Sequence, residues 1–291
     1  MRPSLHAFIG GRLIRPLGRA GLAAGLCLGL LLGGCASQGR GSLGAGDTPG
    51  GPRSQERQVS MSDGRPAGDP LESAKVHTEL AFSYFQRGQM AVALEEVRTA
   101  LNSKSDYFMA YNVLGLINMD LGQNPKAEEA FQRALAIAPT DSDTLNNYGW
   151  FMCQTQRERQ SITYFMQALK NPLYETPVKP YVNAGICSQK FGDDTGAEEY
   201  YRKAFSLDPA NPSALLRLGE LYLKRNELDK ARFYADRLNK TYEPSAPSLW
   251  LALRIERKAG DRASETSFAS QLRRRYPNSA ENLRLQQGQF E

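Results

Sequence analysis

From Leu71 onward, apolar residues recur three and four positions apart, the spacing that gathers them into one stripe of an α-helix. The stripe is interrupted at Gly88, Gly122, Gly192 and Gly260, and again at Pro139, Pro209 and Pro277. Glycine stops a helix by accepting a left-handed backbone, and proline cannot continue one. The segments between these breaks are self-similar. AVALEEVRTAL (91–101), PKAEEAFQRALAIAP (125–139), RQSITYFMQALKNP (159–172), TGAEEYYRKAFSLDP (195–209) and LDKARFYADRLN (228–239) stand about 34 residues apart.

That period resembles the tetratricopeptide (TPR) repeat, in which two antiparallel helices, A and B, form one unit. The expected fold is all-α, a right-handed superhelical solenoid of about six TPRs over 74–279. The repeats cover 74–107, 108–141, 142–175, 178–211, 212–245 and 246–279, followed by a C-terminal tail over 280–291. Thr176-Pro177 is an insertion between repeats three and four. Position eight of the repeat reads Ala81, Gly115, Gly149, Gly185 and Gly219, and position twenty reads Ala93, Ala127, Ser161, Ala197 and Ala231. Small residues there let helices A and B approach closely, while Phe131, Phe165 and Tyr201 at position twenty-four are expected to fill space against the next repeat. In the sixth repeat Leu253 and Glu265 replace the small residues, as suits a terminal cap.

The N-terminus reads differently. Arg2, Arg12, Arg15 and Arg19, without an acid, precede the apolar run GLAAGLCLGLLLGGC, which is short for a bilayer span and reads as an export signal over 1–34. Its end, Leu32-Gly33-Gly34-Cys35, resembles the lipobox of bacterial lipoproteins, which implies acylation of Cys35 after cleavage; a plain signal peptide or an anchor with a chance cysteine is the alternative. Ala36 after the cysteine, rather than aspartate, resembles the outer-membrane sorting default. The stretch 35–73 is rich in Gly, Ser, Pro, Arg and Asp and is read as a disordered tether, because it has too little apolar surface to offset the entropy of ordering.

Removing the signal also changes the electrostatics. The formal charge of +5 includes the four signal arginines, so the exported chain is close to neutral and a nucleic-acid partner loses its main support. Catalysis is not expected, nor a metal, a cofactor or a small-molecule substrate. The two histidines are His6, in the signal, and His77, at a packing position; no HExxH, paired CxxC or phosphate-cradling glycine loop is present. The pairs Glu95-Glu96, Glu128-Glu129 and Glu198-Glu199 recur within one place of the same register and are read as a solvated outer face of the B helices rather than as paired catalytic carboxylates.

In TPR arrays, partners bind mostly along the inner groove, lined by positions two, five, nine and twelve of helix A with position six at its edge. Repeats one to four place Phe82, Phe85, Asn112, Leu116, Met119, Asn146, Trp150 and Ile186 there, more apolar than a solvated face needs to be. Part of such a strip would be internal core if the superhelix were tight. Asn147 and Asn183 fall at position six, where an amide can offer both a donor and an acceptor to the backbone of an extended peptide. Hydrogen bonding between helix layers is the competing reading. Cys153 and Cys187, at positions twelve and ten of neighbouring A helices, lie within reach of a disulfide; two small buried thiols are the alternative.

Taken together, the lipobox, the short tether, the six repeats and the strings LAFSYFQRGQMAVALEEVRTAL, AYNVLGLINMDLG, LNNYGWFMC and YVNAGICSQKFGD resemble the type IV pilus biogenesis lipoproteins called PilF or PilW, over roughly residues 74–280. The resemblance implies a non-enzymatic pilotin. Such a protein is anchored by lipid at the periplasmic face of the outer membrane and promotes localisation, multimerisation or stability of the secretin subunit that forms the pilus pore. A TPR lipoprotein adaptor that docks cell-wall hydrolases or outer-membrane assembly factors is the alternative.

Overall fold

A computed structural model describes residues 69–290. The expected signal over 1–34, Cys35 and nearly all of the 35–73 tether lie outside the described residues. Every regular element among the described residues is a helix: α1 Pro70–Gln86, α2 Met90–Ser103, α3 Phe108–Asp120, α4 Asn124–Ile137, α5 Ser142–Gln154, α6 Glu158–Ala168, α7 Val178–Lys190, α8 Asp194–Leu207, α9 Pro212–Lys224, α10 Leu228–Thr241, α11 Ala246–Ala259, α12 Arg262–Arg275 and α13 Ala280–Gln287. The odd-numbered helices up to α11 are the A helices, and the even-numbered helices from α2 to α12 are the B helices.

Two ends differ from the repeat frame expected from the sequence. Helix α1 begins a turn before Ala74, because the Asp69 carboxylate accepts from the Leu71 N–H and Pro70 occupies the first turn, where its missing N–H has no role. The segment expected to be a plain tail forms α13, started by the Ser279 hydroxyl accepting from Asn282 N–H. Its Leu285 packs with Trp250, Leu253 and Leu272 and so covers the last repeat.

Each B helix packs on its own A helix and on the A helix of the next repeat, while consecutive A helices also touch one another, α1 on α3 through to α9 on α11. With neighbouring A helices in contact and the B helices outside them, the array bends so that the A helices form its inner wall. Glycine at position eight is what permits the intimate A–B contact. A methyl group built on Gly115 would lie 2.6 Å from the Phe131 ring, and one on Gly149 would lie 2.9 Å from Phe165. The aromatic at position twenty-four therefore sits on the glycine of its own repeat, and Phe131 also reaches Tyr148 and Phe151 of the next one. In the fifth repeat Ala235 stands at that position, and Leu251 from the following repeat fills the space over Gly219.

The A–B turn has one conformation throughout. Gly88, Gly122, Gly192 and Gly260 take positive φ, and so do Gln156 and Asn226 at the equivalent positions of repeats three and five. Asparagine tolerates that conformation because its short amide can hydrogen-bond locally, whereas Gln156 takes it at a cost of about 1–2 kcal/mol.

The outer glutamates do not behave as a uniform solvated face. Glu128 accepts from Tyr148 Oη at 3.0 Å and from Arg157 Nη1 at 2.6 Å, which joins α4 to α5 and to the turn that follows it. Glu198 accepts from Tyr222 Oη at 2.6 Å and pairs with Arg225, which joins α8 to α9 in the same manner. Glu96 meets His77 Nδ1 at 2.6 Å inside the first repeat. The hydrogen bond from Arg157 holds the Glu128 carboxyl below its usual range despite partial burial. At Glu198 burial pushes upward, but Tyr222 and Arg225 outweigh it and the carboxyl is again held low. Tyr148 and Tyr222 occupy different positions of the repeat, which is why the shared register of the glutamates pointed to solvent and concealed their partners.

Candidate functional site

The inner wall is graded in depth. Position-twelve residues Phe85, Met119 and Cys153 are buried, because they lie where adjacent A helices press together. Leu116 and Asn146 are buried as well. These four groove residues anticipated from the sequence, Phe85, Leu116, Met119 and Asn146, thus support the surface from below. Phe82, Asn112, Asn147, Trp150, Asn183 and Ile186 are half-buried and reach the surface, and Met109 at position two is exposed. The accessible strip is narrower and less apolar than the sequence pattern implied, since the A–A seam absorbs much of its hydrocarbon.

The asparagines form one hydrogen-bonded ladder across three repeats. Asn183 Nδ2 on α7 donates to Asn146 Oδ1 on α5 at 2.9 Å. Asn146 Nδ2 donates to Asn147 Oδ1 at 3.3 Å, and Asn147 Nδ2 donates to Asn112 Oδ1 on α3 at 3.1 Å. Adjacent residues of α5 therefore face opposite neighbours: Asn147 reaches back one repeat and Asn146 reaches forward one. Each bond between helices runs from position six of one repeat to position five of the repeat before it, which is the hydrogen bonding between helix layers that competed with the peptide clamp. An amide carries an acceptor oxygen and two donor hydrogens. The ladder uses the middle amides internally and leaves donor capacity on Asn112 Nδ2 and acceptor capacity on Asn183 Oδ1 at its two ends.

Beneath the ladder, Cys153 and Cys187 are joined in a disulfide with Cα atoms 5.8 Å apart, linking α5 to α7. The bridge is fully buried with Phe165 and Ala184, and Trp150, Ile162, Met166 and Tyr200 pack around it. Lys190 Nζ adds a second link by donating to Cys153 O at 3.1 Å; Lys258 repeats the contact on Leu223 O at 3.4 Å. In each case a cation meets the carbonyl end of the preceding A helix, where the helix dipole favours it. The lysines share position thirteen, a signal present in the sequence that became legible only once the A–A contacts were known.

Towards the C-terminal end the inner wall becomes charged. Arg217 and Glu220 pair at 2.8 Å on α9, and Arg254 and Arg257 follow on α11. Among the described residues no group of three or more His, Cys, Asp or Glu side chains could hold a metal ion, and no helix is long and apolar enough to cross a membrane. The arrangement offers apolar contact, amide hydrogen bonding and charge along one face, which suits recognition of a polypeptide segment.

Comparison with known proteins agrees with this architecture. Residues 78–142 and 191–254 each match a tetratricopeptide repeat family. The chain is 28% identical over 215 residues to the type IV pilus assembly protein PilF of Pseudomonas aeruginosa, covering 74% of this chain and 85% of that protein. The crystal structure of PilW, described as a widely conserved type IV pilus biogenesis factor, superposes with a TM-score of 0.67 at 31% identity, covering 73% of this chain and 97% of PilW. The P. aeruginosa PilF structure superposes with a TM-score of 0.66 at 28% identity, over 75% of this chain and 99% of that one. A TPR protein from Parabacteroides merdae, 18% identical with a TM-score of 0.56, shares the fold. With a solenoid of paired helices, closely packed position-eight glycines and near-complete coverage of PilW, this chain belongs to the PilF/PilW family of TPR type IV pilus biogenesis proteins.

Proposed function

We propose that this protein is a non-enzymatic, pilotin-like scaffold that promotes localisation, multimerisation or stability of the outer-membrane secretin of the type IV pilus. The observation that carries the reading is the inner wall of repeats two to four, in a member of this family. There, a ladder of amides with spare capacity at both ends runs beside half-buried Trp150 and Ile186. Such a surface can hold an extended or helical segment of a secretin subunit by side-chain contact and by hydrogen bonds to its main chain.

The anchor supplies the second half of the mechanism. Acylation of Cys35, as the lipobox implies, places the array at the periplasmic face of the outer membrane, with the segment between Cys35 and α1 as a tether. Confining the groove near the membrane raises the effective concentration of a captured subunit there without any new contact. The test replaces Cys35 with alanine in the full chain and fractionates membranes. Secretin multimers are expected to be lost from the outer membrane, and normal outer-membrane multimers in that variant would overturn the proposal. Co-purification of secretin with the wild-type protein from detergent-solubilised outer membrane checks the partner directly. Retention of a cell-wall hydrolase in place of secretin would favour an adaptor instead.

A further inference from the structure

The inner wall of the sixth repeat is already occupied by the chain itself. Helix α13 ends at Gly288, whose left-handed backbone turns the chain back towards α11 and brings the Gln289 N–H onto Arg284 O at 2.9 Å. Phe290 then lies on α11. Its ring stacks on Trp250, with centroids 5.7 Å apart and planes 19° apart, and the Arg257 guanidinium stands 3.7 Å above the ring. Arg254 Nε donates to Phe290 O at 2.8 Å.

Trp250, Arg254 and Arg257 occupy positions five, nine and twelve of their repeat, the positions that line the inner wall elsewhere in the array. The three side chains perform distinct tasks. One aromatic face and one cation enclose a ring, a pairing favoured by its electrostatics. A second cation takes the main-chain carbonyl of the same residue, so the seat reads an aromatic side chain together with its backbone.

We infer that this constellation is a binding seat for an aromatic residue in an extended polypeptide, and that Phe290 fills it in cis until a partner segment of the same chemistry displaces it. The inference rests on the inner wall being the partner face, and it adds what the charged end of that wall recognises. Because Phe290 is tethered to the repeat it covers, its local concentration is high. A competing segment therefore gains access when it also engages the amide and apolar surface of repeats two to four, beyond the Arg217–Glu220 pair of repeat five, which makes the seat a selective end-point of the groove.

The experiment uses the full-length chain with Trp150→Phe, leaving Trp250 as the one tryptophan fluorophore. Adding Phe290→Ala should make Trp250 several-fold more accessible to acrylamide quenching while helicity by circular dichroism is retained. A blocked peptide with the sequence of residues 284–290 should then restore protection in a saturable manner. The same peptide with alanine in place of its phenylalanine should not, and Arg257→Gln should weaken the effect of the aromatic peptide. With Phe290 in place, the peptide should have little effect. Unchanged quenching in Phe290→Ala, or equal protection by the aromatic and alanine peptides, would overturn the seat. Either result would leave the secretin reading standing, because that reading is tested separately by Cys35→Ala and by co-purification.

Discussion

Asn183 on the inner wall of the fourth repeat donates its amide to Asn146 of the third at 2.9 Å, and Asn146 is itself buried. The bond is the forward arm of a ladder whose backward arm runs from Asn147 to Asn112. A buried amide that loses its partner exposes the desolvation term in full, so stability and recognition are combined in these residues. Asn183→Ala leaves the buried Asn146 Oδ1 without its donor and is expected to lower unfolding stability by about 1–3 kcal/mol in urea titrations. Asn147→Ala with Asn183→Ala removes two surface-reaching amides and is expected to weaken secretin retention beyond what the fall in melting temperature explains. Loss of melting temperature with intact retention would assign the ladder to packing alone.

Gly185 tests the close approach of helices A and B. In an ordinary helix interior, glycine to alanine is favourable by about 1 kcal/mol. Here the added methyl would collide with the ring of Tyr201, which is fully buried and hydrogen-bonded through its hydroxyl to Gln189. Overpacking of this kind destabilises by about 1–3 kcal/mol. Gly185→Ala should therefore be destabilising, and Tyr201→Leu in the same chain should recover part of the loss. A stabilised Gly185→Ala protein in chemical denaturation would show that the ring has room to move.

The disulfide spans 34 residues and ties repeat three to repeat four. In the chain-entropy treatment, a loop of that size stabilises the folded state by about 3–4 kcal/mol. Replacing Cys153 and Cys187 with alanine, or reducing the unfolded protein, should shift the denaturation midpoint accordingly. The largest rise in amide exchange should fall in α5, α6 and α7, because Phe165, Ala184 and Trp150 pack around the bridge. Two titratable thiols in the unfolded, unreduced protein would show that the bridge had not formed.

The glutamates of the outer network set a pH dependence of known sign. Glu128 and Glu198 are held below the ordinary carboxyl range in the folded protein. Their contribution to stability is complete above the unfolded carboxyl range, near about pH 4.3. It is lost as pH falls through the lower folded values, because the unfolded chain binds protons more readily. Urea midpoints should therefore fall on acidification below that range. Glu128→Gln combined with Glu198→Gln should lower the neutral-pH midpoint and flatten the acid limb. An acid limb of unchanged slope in the double variant would place the proton-linked stability elsewhere.

Much of the architecture is determined by the sequence alone. The 34-residue period, the small residues at positions eight and twenty, and the turn glycines specify helix pairs, because backbone approach and left-handed turns depend on the absence of a side chain. The amide and apolar content of the third repeat marked the inner wall for the same reason: helical periodicity assigns residues to faces. How deep each face lies was decided by tertiary structure. Contact between neighbouring A helices buried Phe85, Leu116, Met119 and Asn146, and it turned the asparagines towards one another before any partner arrives. Tyr148 and Tyr222 found Glu128 and Glu198 from different repeat positions, which no single register could announce. Phe290, in a segment without repeat character, acquired a place only when Gly288 turned the chain onto Trp250. Local patterns fix which side of a helix a residue occupies; the offset and curvature of the packed array decide whether that side meets water, another helix or the chain's own end.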